Sequence, residues 1–160
     1  MSVVITIKFA SLLSDIKVRS HMTAERIKDP EEQYALRISE ENESAARQAL
    51  QDAWRGLVAL CRPFLSTTND ASGNDLLSTP PLSGALQDQQ LTFDLSVRRT
   101  SHIADPLAQE IHEYLVAGTM RRFYTADAAA DIITVAAASE NVARDNIVKM
   151  LYKKNKPIYT

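Results

Sequence analysis

The chain has 160 residues, 45% of them apolar and 24% charged, a balance that builds one folded domain around one core and excludes a disordered chain. Its formal net charge of −2 gives no whole-surface attraction to nucleic acid or to an acidic membrane. A lone cysteine, Cys61, excludes an intramolecular disulfide and a multi-thiolate metal site, and four glycines are too few for a local phosphate cradle.

Val3, Ile5, Ile7 and Phe9 alternate with Val4, Thr6 and Lys8, the period-2 pattern of a strand over 3–9 with one face buried. This opening run is too short to cross a bilayer and has neither a positive start nor a small-residue cleavage site, and the single cysteine makes a reducing place of synthesis the expectation. Leu12, Leu13 and Ile16 predict a short helix from Ser11, whereas 18–29 lose any clear period. A clear helix is expected from Ser39, whose hydroxyl caps and whose following acids, Glu40 and Glu41, suit the positive helix end. Its buried stripe is Ala46, Leu50, Ala53, Trp54, Leu57, Cys61 and Phe64, with Pro63 ending or bending the last turn.

Residues 66–89 collect turn and breaker signals, among them Pro80-Pro81 and Ser83-Gly84, and predict an exposed loop or an arm that orders on a neighbour. Leu91, Phe93, Leu95 and Val97 predict a second strand over 91–97, able to pair with the first and dependent on helices packed against it. A second long helix is expected from Ala104, with Asp105 and Pro106 at its first positions and Leu107, Ile111, Tyr114, Leu115 and Gly118 along one side. Thr125 reads as the cap of a third, with Asp127 in its first turn. Its stripe is Ala128, Ile132, Val135, Ala136, Ser139, Val142, Ala143, Ile147 and Met150 or Leu151. The expected architecture is mainly α: a bundle of three to four helices with a small two-stranded β element, one domain over 1–160 ending in a basic tail over 153–160.

The chemistry-bearing residues do not converge in the sequence. His21, His102 and His112 are far apart and none has a second histidine or cysteine at a zinc-ligand spacing. Glu110, His112 and Glu113 point in different directions from one helix and read as a polar surface. Cys61 and Trp54 lie on an apolar stripe and read as core rather than nucleophile and stacking platform. No cofactor is expected. The residues suited to nucleic acid phosphates are Arg98, Arg99, Arg121, Arg122, Lys153, Lys154 and Lys156.

The alternating run Leu91 to Val97, the helix from Ile111 to Tyr124 and the alanine-rich helix closing on Leu151-Tyr152-Lys153-Lys154-Asn155-Lys156-Pro157 together resemble small structural proteins of tailed bacteriophages and prophages, especially of Bacteroides-type hosts. More loosely the chain resembles the helical head–tail adaptors. The resemblance implies a non-enzymatic neck subunit, made in the host cytoplasm and carried in the virion. Such a subunit forms a homo-oligomeric ring between portal and tail proteins around a DNA channel, with no membrane partner. The two strands depart from an all-helical adaptor and leave a tail-completion protein as one alternative. A bacterial helical protein-binding module is another, and a small hydrolase or transferase with a site assembled from scattered residues is the third.

Overall fold

The computed structural model describes residues 2–26, 29–31, 36–65, 79–95, 97–124 and 126–152, and for 2, 97–101 and 126–129 the backbone only. Among the described residues it is mainly helical, with four long helices and one two-stranded antiparallel sheet. In chain order the elements are β1 (Ser2–Ile7), α1 (Phe9–Ala24), α2 (Glu43–Cys61) with a 3-10 turn Arg62–Phe64, β2 (Gln89–Asp94), α3 (Val97–Phe123) and α4 (Ala126–Tyr152).

β1 and β2 pair as expected, with Val3 opposite Phe93 and Ile5 opposite Leu91, so the alternating residues of both strands face one core. The strand boundaries are shorter than the alternation suggests. Phe9 opens α1, fully buried with its ring edge-on to Trp54 at 5.1 Å, and Val97 opens α3.

α1 continues through the stretch where the period fades. Its inner face ends on Ser20 and Ala24, both fully buried, while Val18 and Met22 point outward and are exposed. Small inner residues and large outer ones invert the hydrophobic contrast that a period count relies on. Ser20 earns its interior place by local bonding: its hydroxyl donates to the Lys17 carbonyl at 2.7 Å and accepts from the Ile38 N–H at 3.0 Å.

α2 starts at Glu43, four residues after the expected cap. The Asn42 side chain accepts from the Ser39 N–H at 2.7 Å and donates to the Arg37 carbonyl at 2.8 Å, which closes a turn over 39–42 before the helix can begin. The α2 stripe from Ala46 to Cys61 is buried as the spacing predicts, and Pro63 falls within the 3-10 turn that follows.

α3 is longer than expected and carries Pro106 in its interior rather than at its start. The missing N–H leaves the His102 carbonyl without its helical donor, on a side of the helix where His102, Asp105 and Pro106 are exposed. From Tyr114 to Met120 every residue is buried. A helix buried on all sides is the centre of a bundle: α2, α4, α1 and β1 all pack on α3. Gly56 and Ala53 of α2 face Tyr114 and Gly118 of α3 respectively, so these two helices run antiparallel.

α4 is rotated from the expected stripe. Ala136, Glu140, Ala143, Ile147 and Leu151 face inward, whereas Val135 and Val142 are 67% and 60% exposed. Its expected cap, Thr125, and the 153–160 tail lie outside the described residues. Buried residues from all four helices and both strands form one apolar cluster.

Candidate functional site

Two of the predicted basic residues meet at one point. Arg121 and Arg122, in the last turn of α3, both pair with Glu140, a carboxylate 6% exposed on the inner face of α4. Arg122 also donates to the Gly118 carbonyl at 3.0 Å. Burial alone pushes the Glu140 carboxyl up, but the hydrogen bonds and charges of the two guanidiniums outweigh it and hold it below the ordinary carboxylate value. The same contact raises Arg121 above its ordinary value. Glycine makes the room: a β-carbon at residue 118 would meet Arg122 at 2.8 Å and Glu140 at 3.2 Å.

This cluster ties α3 to α4 and leaves both arginines partly exposed. Glu140 was invisible to a periodicity argument, because an acid on an alanine-rich helix reads as surface. The available signal was the adjacent arginine pair, which brings enough charge to compensate one buried acid. Arg98 and Arg99 sit in the first turn of α3 with their side chains outside the described residues, as are Lys153, Lys154 and Lys156 entirely.

A second set of ion pairs fastens α1. Arg19 makes a two-pronged contact with Glu113 at 2.6 and 3.0 Å, Lys17 pairs with Glu43 at the start of α2, and His112 Nε2 lies 2.9 Å from Asp15. The Arg19 hydrogen bonds hold the Glu113 carboxyl below its ordinary value, and those of Lys17 do the same for Glu43. Glu113 and His112 thus reach different partners on α1, as their angular separation on one helix requires. A hollow of about 360 Å³ between the β1–α1 corner and α3 contains Lys8, Ser11, Asp15, Gln109 and His112. Among the described residues no three metal-ligating side chains group together, and no helix is long and apolar enough to cross a membrane.

Two features face outward. The first is the side of α4 carrying Val135 and Val142, one heptad apart, with the exposed Ala138 between them. The second is an open depression of about 820 Å³ at the far end of the α3–α4 pair, bordered by Glu110, Asn146, Val148, Lys149, Met150 and Tyr152. Tyr152 stands edge-on to Phe64 with ring centres 4.5 Å apart, which joins the depression to the end of α2.

The irregular segment just before β2 is held by side chains of α2. Arg47 of α2 donates to the carbonyls of Pro81 at 3.2 Å and Gly84 at 2.8 Å, and Gln51 donates to that of Pro80 at 2.7 Å. This half of the expected loop lies against α2, with Pro80 buried and Leu82 exposed, while 66–78 lie outside the described residues. Sequence alone gave no sign that α2 supplies the anchors. Comparison with known proteins finds no matching family model, curated protein or solved structure.

Proposed function

We propose that the chain is a non-enzymatic structural subunit of a homo-oligomeric ring, of the head–tail connector kind, joining a portal to a tail around a DNA channel in a phage particle. The observation that carries the assembly part is the outer face of α4. A long helix that buries Ala136, Ala143, Ile147 and Leu151 on one side also presents Val135 and Val142 to solvent on the other, against the usual polar outer face of a bundle helix. Small residues between the valines permit close approach of a second helix. The connector part rests on the sequence resemblance.

The candidate contacts with channel DNA in this reading are Arg98, Arg99, Arg121, Arg122, Lys153, Lys154 and Lys156; Arg121 and Arg122 stay partly exposed beside Glu140. The mass of the purified chain by light scattering, alone and mixed with portal and tail components of the same gene cluster, tests it. A large closed oligomer or co-assembly is the expected result. A strict monomer or dimer that ignores those components sinks it and favours a helical protein-binding module.

A further inference from the structure

α4 carries a second regular stripe opposite the one it buries. Asp131, Val135, Ala138, Val142, Asp145 and Lys149 follow one another at alternating steps of four and three residues, and all of them are exposed. That is the spacing of a coiled-coil seam, in which every residue of the row faces a partner helix. The bundle takes up the other side of α4 through Ala136, Glu140, Ala143 and Ile147. The centre of the outer row is apolar and its ends are charged. Among the described residues Asp131, Asp145 and Lys149 take part in no ion pair.

The charges choose both the partner and its direction. A second copy laid parallel would set Asp131 on Asp131, Asp145 on Asp145 and Lys149 on Lys149, like charges that oppose the contact. Turned end for end about residue 140, it sets Ala138 against Val142, Val135 against Asp145 and Asp131 against Lys149, each layer repeated by the two-fold axis. The centre then joins a small residue with a larger one, and both ends join opposite charges. Ser139 and Asn141, which flank the centre, bring no charge to it. The helix dipole accounts for an acid near the start of α4 and a base near its end. It does not account for their equal offset from residue 140 or for the apolar seam between them.

We infer that two copies pair antiparallel along the outer face of α4, centred on residue 140, with Asp131 of each beside Lys149 of the other. This rests on the assembly reading above and gives its α4 face a partner and an orientation. A two-fold contact closes on itself, so the pair belongs to the free chain, and a ring built through the same face has to part it. The apolar seam is short and Asp145 stands opposite Val135, which keeps the pair weak enough to exchange. Sedimentation of the full chain over a range of concentrations, without particle components, tests it. A dimer is expected. Asp131→Lys and Lys149→Asp should each weaken pairing by about tenfold or more. The two together should restore it, because the reversed charges meet again across the pair. Both positions are exposed, so the fold tolerates the changes.

A monomer at the highest concentration reached overturns the pair. So does an oligomer of any size that is indifferent to the single reversals, or one that the double reversal fails to restore. In those cases light scattering of the wild-type chain with portal and tail components separates the two ideas. A large particle leaves assembly standing through another contact, and a chain that ignores those components removes both.

Discussion

The Tyr114 hydroxyl occupies the space that a side chain at Gly56 would need: a β-carbon there would lie 2.9 Å from the phenol oxygen. The tyrosine is 5% exposed and its ring is rigid, so α2 and α3 approach this closely only because residue 56 has no side chain. Burial, the largest influence on the phenol, and the nearby Glu140 charge together push it above its ordinary value, against the opposing charge of Arg122. It therefore stays protonated through the neutral range.

Gly56→Ala should destabilise the chain by about 1–3 kcal/mol through overpacking, even though alanine favours helix by about 1 kcal/mol. Urea unfolding midpoints measure this. In a Tyr114→Phe background the colliding oxygen is gone, so the penalty should shrink or reverse. Additive effects of the two substitutions would mean that the helices separate instead of clashing.

Glu140→Gln keeps the shape of the side chain and removes its charge. The expected loss is about 3 kcal/mol, the lower end for a broken buried pair, because Arg121 and Arg122 both keep contact with solvent. Glu140, Glu113 and Glu43 are all held below the ordinary value of 4.5, so their contribution is present above that pH and lost as pH falls through the lowered folded values. The acid limb of stability against pH, followed by circular dichroism, should be shallower in Glu140→Gln. An unchanged acid limb would show that the cluster does not set acid stability.

The Cys61 thiol is fully buried, and burial pushes its pKa up to about 12. Alkylation at neutral pH should be far slower than for an exposed cysteine and should accelerate with denaturant in step with global unfolding. Rapid modification of the native chain would place the thiol in a region that opens locally.

Arg47→Ala should free the bend over 80–84 while leaving α2 helical. Amide exchange over 79–88 is the readout, and it should rise while that of the α3 centre, 114–120, stays protected. Arg47→Lys should rescue only partly, since an ammonium lacks the planar fork that reaches two carbonyls and Glu43 together. Equal exchange in all three proteins would assign the bend's order to Gln51 and Pro80 instead.

Much of the fold was legible in the chain because it follows from local pattern. The stripe from Ala46 to Cys61 repeats apolar residues at helical spacing and is buried, with Trp54 and Cys61 in the core. Val3, Ile5, Leu91 and Phe93 alternate as paired strands do, and the helix-rich composition set the class. What failed depended on residues far apart in sequence. Glu140 turned inward because Arg121 and Arg122 compensate its charge, and that rotation carried Val135 and Val142 outward. Ser20 was buried because Ile38 supplies a donor, and the segment before β2 was fixed because Arg47 and Gln51 reach its carbonyls.

The sequence by itself determined the type and rough place of the main helices and strands, though not their ends, since these depend on neighbours within a few positions. Tertiary structure alone decided which polar groups go inside and which apolar ones remain at the surface. A polar group's burial depends on a partner that only folding brings into reach.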